Sequence, residues 1–200
     1  MWNLLSILSV FSLGLITPGP DFSVVVKNSL ARGRKHGFYT AVGIACGIAI
    51  HMSYCIFGLG VMLNISPHLL MMIRLLGGLY LIYLGYRSFI SSPSLSVSSA
   101  TEIKTHSAFF QGFVTNLLNP NAVLFFISIF SAVLATDTLK MALVLGLSII
   151  LLAFSWFTLV SYVFSFELMT RKFLQYGKIL NRVLAVVLVF FGVSILWKLH

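Results

Sequence analysis

Asp21 is the only acid set deep inside an apolar stretch of this chain of 200 residues, and it follows directly on Thr17-Pro18-Gly19-Pro20. A carboxylate at that depth is costly, so by default it marks a path for an ion, a proton or a substrate. A plainer reading stands beside it: an acid in a helix's first turn accepts amide hydrogen bonds and is favoured by the positive helix end. Asn116, Asn119 and Asn121 surround a second deep proline, Pro120, and bring donors and acceptors without charge. Capping accounts for Asn119 taken alone, but not for all three asparagines. His51 falls near the middle of another apolar segment, where it is either a proton relay or one half of an interhelical hydrogen bond. Arg74 either snorkels to the membrane surface or pairs with a substrate carboxylate or with Asp21. Ser155, Trp156 and Thr158 are weaker candidates for a cavity lining.

The pattern excludes several chemistries. There is no phosphate-binding glycine loop, no nucleophile elbow and no metal-spaced histidine cluster, so neither an enzyme nor a bound metal or cofactor is expected. Cys46 and Cys55 share one predicted helix at positions about 180° apart. They cannot pair within it, and they read as small buried residues.

The elements that hold these residues follow from hydropathy. The chain is 59% hydrophobic and 8% charged, whereas a soluble domain is nearer a quarter charged. It is a multi-spanning membrane protein, and no cleavable signal peptide is expected. The run from Leu4 to Val26 is long enough for one crossing of about 20 residues. Pro18 and Pro20 each remove an amide donor and clash with the preceding turn, and the residue before a proline avoids the helical region. Two half-helices are expected, with Gly19 as cap and Pro20 as first residue of the second. Such broken backbone at membrane depth is tolerated only where protein or a watery cavity surrounds it.

Six spans are expected, at about 3–26, 38–63, 69–89, 108–134, 140–165 and 181–198. Of the thirteen Lys and Arg, ten fall in the first, third and fifth connections: Lys27, Arg32, Arg34, Lys35, Arg87, Lys104, Arg171, Lys172, Lys178 and Arg182. The net charge of +9 is therefore a topology signal, and no nucleic-acid partner is expected. The positive-inside rule puts those loops in the cytoplasm and both termini outside. Three spans, a serine-rich linker and three more make an inverted repeat, in which the fourth span lies upside down relative to the first. The fourth does echo the first, since Asn119-Pro120-Asn121 matches Gly19-Pro20-Asp21. The expected fold is an all-α membrane protein of six transmembrane helices, arranged as two inverted three-helix repeats with the first and fourth helices broken at proline motifs. It forms a single domain: repeat 1 over about 1–90, linker over 91–107 and repeat 2 over 108–200. Gly43 with Gly47, and Gly78 with Gly85, are small residues spaced for close helix packing.

Several of these motifs together resemble the LysE/RhtB-type amino-acid exporters. They are Gly14-x-x-Thr17-Pro18-Gly19-Pro20, then Arg32-Gly33 and Gly37, then Gly43 and Gly47. In the third span they continue as Gly77-Gly78-Leu79-Tyr80-Leu81-x-Tyr83-Leu84-Gly85, and in the fourth as Gly112-Phe113-x-Thr115-Asn116-x-x-Asn119-Pro120. The likeness is close to about residue 130, and rests on hydropathy and length beyond it. It implies a bacterial inner-membrane exporter of amino acids, coupled to protons. The resemblance to the RhtB-like branch implies homoserine, threonine and neutral or branched-chain amino acids as substrates, and a single deep acid favours such a neutral substrate over lysine or arginine.

The expected site comprises Asp21, Thr17, Gly19, Pro20, Asn116, Asn119, Asn121, His51 and Arg74. The N-terminal ends of the half-helices that begin at Pro20 and Pro120 would face the substrate carboxylate with free amides, while the C-terminal end near Ile16-Thr17, with Asp21, takes the ammonium and a proton displaces it at Asp21. Expected partners are the amino acid, protons and membrane lipids, and a homodimer is left open. The alternatives are a passive channel or scramblase on the same broken-helix plan, a lipid enzyme and a metal exporter. The last is disfavoured by the scarcity of deep carboxylates and thiols.

Overall fold

The structure, a computed structural model, describes residues 4–16, 19–58, 67–90, 105–134 and 139–197. Thr17, Pro18, most of the second connection, the serine-rich linker, Asp137 and Lys198 lie outside the described residues. Among those described, all regular structure is helical. The helices are α1 (Leu4–Ile16), α2 (Pro20–Arg32), α3 (Arg34–Ser53), α4 (Pro67–Ile90), α5 (Thr105–Leu117), α6 (Pro120–Leu134), α7 (Leu139–Val163) and α8 (Glu167–Trp197). A short π turn, Tyr54–Gly58, extends α3.

Both proline motifs break their helices. The axis turns by 50° from α1 to α2 and by 54° from α5 to α6. By length and composition, α3 with its π turn and α7 can each cross a membrane, and counting each bent pair as one span makes four. The expected third and sixth spans fall on α4 and on the apolar part of α8, Asn181–Trp197, neither of which is among those four.

Two connections are shorter than hydropathy suggests. Lys27 and Arg32 lie on α2, and Gly33 alone joins it to α3, with φ of 81°. A side chain is strained in that left-handed region, so glycine is the residue for this reversal. The fifth connection shrinks to residues 164–166, and Arg171, Lys172, Lys178 and Arg182 lie on α8. Helices persist beyond the apolar stretch because backbone bonding does not stop where lipid does, so hydropathy marks the membrane rather than the helix end.

Lipid is as apolar as leucine, so close backbone approach carries the packing. α3 runs along α5 and α7, and α4 runs along α8 and α6. A methyl at Gly43 would collide with the Phe109 carbonyl, and one at Gly112 with the Thr40 carbonyl, so the α3–α5 contact is backbone to backbone. Gly78 and Gly192 make the matching contact between α4 and α8. The main core gathers Phe22, Val25, Ile44, Ile48, Phe130 and Ile149 among α2, α3, α6 and α7. A smaller one joins Val10, Leu81, Leu188 and Phe191. Large apolar residues such as Leu76, Leu147 and Phe190 face outward, as a lipid-facing surface requires. Cys55 is buried, but Cys46 is exposed, so only one thiol matches the buried expectation; both are free.

One end of the bundle is tied by polar contacts. The Asn28 amide donates to Thr40 Oγ1 at 2.9 Å and to Gln111 Oε1 at 3.1 Å. Arg32 donates to Asn28 Oδ1 at 2.7 Å, and the Arg34 guanidinium lies 4.1 Å from the Tyr162 ring centre and 4.9 Å from that of Phe166. Gly43→Ala should destabilise the detergent-solubilised protein by about 1–3 kcal/mol through overpacking, read as a lower unfolding midpoint. Gly14→Ala, whose new methyl meets nothing within 4 Å, should leave the midpoint unchanged or slightly raised. Equal midpoints for Gly43→Ala and the parent would contradict the backbone-to-backbone contact.

Candidate functional site

Each break frees backbone carbonyls, and each is answered from the other half of the chain. Pro120 has no N–H, so the Asn116 carbonyl four residues back loses its helical donor. Asn119 N turns inward to it at 3.0 Å, and His51 Nε2 reaches it from α3 at 3.1 Å. A carbonyl only accepts, so Nε2 carries the proton. Nδ1 is then the acceptor, and the Tyr54 hydroxyl donates to it at 2.7 Å. At the first break, Trp156 Nε1 on α7 donates to the Leu15 carbonyl at 2.9 Å. Thus α3 brings a ring N–H to the break between α5 and α6, and α7 brings one to the break between α1 and α2. Hydropathy could not show this for Trp156, which reads as one more aromatic in an apolar run.

The two breaks meet through side chains. Asn116 Nδ2 donates to Asp21 Oδ2 at 2.8 Å. Asn119 Oδ1 accepts the Asn121 backbone N–H at 3.1 Å and caps the start of α6. Gly19, which caps α2, provides no side-chain bond. Gly47 leaves the room that Asn116 occupies, because a methyl there would lie 2.5 Å from Asn116 Oδ1. Two acceptors remain, Asp21 Oδ1 and Asn116 Oδ1, both buried and without a hydrogen-bond partner among the described residues. Buried acceptors of this kind are rare and call for a donor.

A cavity of about 450 Å³ opens beside them. Gly19, Pro20, Asp21, Asn116, Asn119 and Asn121 all line it, so six of the nine expected residues share one space. Thr17 lies outside the described residues. His51 stands behind the wall, fully buried and bonded to Asn116 rather than lining the cavity. Arg74 is half-buried on the first half of α4 and does not line it. Of the Ser155, Trp156 and Thr158 group none lines the cavity, but their neighbour Phe157 does. The sequence reading missed Asn181, Tyr83 and Arg87, which complete the wall. In sequence Tyr83 is only part of the third-span motif, and Arg87 counts as a charge of the third connection. Tyr80 donates to Asn121 Oδ1 at 2.9 Å, which fixes α4 against the second break.

The LysE type translocator family model matches residues 12–199. The chain belongs to that family. An uncharacterized membrane protein, YrhP, of Bacillus subtilis is 30% identical across 97% of this chain and 98% of its own length. The threonine efflux protein of Escherichia coli K12 is 29% identical across 96% of each. A leucine efflux protein of Salmonella choleraesuis is 34% identical across 58% of this chain and 56% of its own length. No solved structure matches. The translocator is thus a membrane transport protein and not an enzyme, as its motifs lead one to expect.

Trp156→Phe keeps the ring but removes the N–H, leaving the Leu15 carbonyl without that donor. We expect a loss of about 1–3 kcal/mol, the range for an orphaned buried polar group, measured as a lower unfolding midpoint in detergent. A midpoint equal to the parent's would mean that the bond does not hold the first break.

Proposed function

We propose that this translocator exports neutral amino acids from the cytoplasm by proton antiport, with Asp21 as the coupling acid. The observation that carries this reading is the pair of buried acceptors, Asp21 Oδ1 and Asn116 Oδ1, beside the cavity at the meeting of two broken helices. An ammonium group brings three N–H donors and one positive charge, which suits a carboxylate and an amide oxygen lacking donors. A proton on Asp21 would satisfy the same oxygen and cancel the same charge. Proton and ammonium are therefore alternatives at one atom, which is the requirement for antiport. Substrate entering from the cytoplasm meets the ionised acid; protonation from outside releases it outward.

The names of the threonine and leucine efflux relatives support a small neutral substrate, and a single acid among the cavity-lining residues argues against a second cationic group. The architecture we assign is two inverted three-span repeats in one domain, α1 to α4 and α5 to α8, in a bacterial inner membrane with both termini outside. The reciprocal ring N–H bonds support that symmetry, since His51 and Trp156 lie on corresponding helices and serve corresponding breaks. Packing of α3 on α7 and of α4 on α8 is what a pseudo-two-fold axis would give. The halves would rock about the fixed site to give alternating access.

Asp21→Asn preserves shape and most hydrogen bonding but cannot ionise. In proteoliposomes loaded with threonine or leucine, an imposed pH gradient should accelerate efflux by the parent protein and leave the variant unaffected. Exchange between equal pools should persist in the variant. Equal gradient-driven efflux by both proteins would reduce Asp21 to a helix-capping residue.

A further inference from the structure

We propose that Arg87 recognises the substrate's carboxylate, so that the cavity reads an α-amino acid as a zwitterion; this deepens the export reading above and rests on it. Among the described residues lining the cavity, Arg87 is the only Lys or Arg and Asp21 the only acid. The other described arginines at that end of the bundle are engaged elsewhere. Arg32 holds Asn28, Arg34 lies over Tyr162 and Phe166, and Arg182 lies 5.8 Å from the Phe89 ring centre. Arg87 donates to the Tyr83 hydroxyl at 3.1 Å, a neutral partner; among the described residues no acid pairs with it, and most of its five donors remain in place.

Neither half-helix start serves a carboxylate as well. The Asn121 amide at the start of α6 is already taken by Asn119 Oδ1. The start of α2 carries Asp21 in its first turn, and a second carboxylate beside it would meet a like charge. The guanidinium is what remains, and its planar fork matches a carboxylate in bidentate fashion. Its position fits a route inward. Tyr80, Tyr83 and Arg87 form a stripe at helical spacing along α4, with Tyr80 bonded to Asn121 at the break and Arg87 about 10 Å further along the axis. A substrate entering past Arg87 would present its carboxylate there and its ammonium to Asp21.

The test compares kcat/KM in proteoliposomes for L-leucine and L-threonine against their carboxamides, which keep the amine and lose the carboxylate. The parent should prefer each amino acid by about tenfold or more, in keeping with a charge-assisted hydrogen bond. Arg87→Gln should collapse that ratio towards one by weakening the amino acid alone, and Arg87→Lys should retain part of it. Folding of both variants is checked by monodispersity in detergent. An unchanged ratio in Arg87→Gln, or in Arg87→Lys should the glutamine variant not fold, would overturn the assignment of Arg87. A parent protein that moves neither amino acid would overturn the export reading, and this inference with it.

Discussion

Proline has no N–H, and lipid cannot replace the missing donor. This constraint organises the translocator. Carbonyls released at a break need protein or a cavity's water; His51 reaches that of Asn116 at the second break and Trp156 that of Leu15 at the first. His51 and Trp156 each reach a break in the other half of the chain, His51 joining the Asn119 backbone N–H that serves the Asn116 carbonyl locally. The tight glycine contacts of α3 against α5 follow, since His51 and Asn116 can bond only if those backbones come close.

The same breaks that demand donors also expose acceptors. Asp21 and Asn116 share one hydrogen bond and leave one oxygen each without a partner among the described residues. An apolar bundle bears that cost only where something arrives to satisfy it, and a cation with several N–H groups is the simplest candidate. Under the proposed reading, structural repair and substrate binding are two consequences of one local chemistry.

Much of this was legible in the residues. Proline, glycine and a lone acid within an apolar run specified the breaks, and the match of residues 119–121 to 19–21 pointed to asparagines that now line the same cavity as Asp21. The roles of His51 and Arg74 were not legible, because hydropathy places a residue along a helix but not around it. The structure places His51 behind the cavity wall, with its ring bonded to the Asn116 carbonyl across the helices. Arg87 was hidden for another reason: at the end of a span, a cavity-lining arginine and a topology-setting arginine look alike in sequence. Trp156 needed the carbonyl it serves to be seen before its ring N–H had meaning.

The central claim is that the Asp21–Asn116 pair, bridging two breaks, is the seat of coupling. Exchanging the two residues tests it most directly. Asp21→Asn combined with Asn116→Asp keeps one acid and one amide at the same junction. The account predicts that gradient-driven efflux in proteoliposomes, absent in Asp21→Asn alone, returns at least in part in the double variant. A double variant as inert to the pH gradient as Asp21→Asn would contradict it.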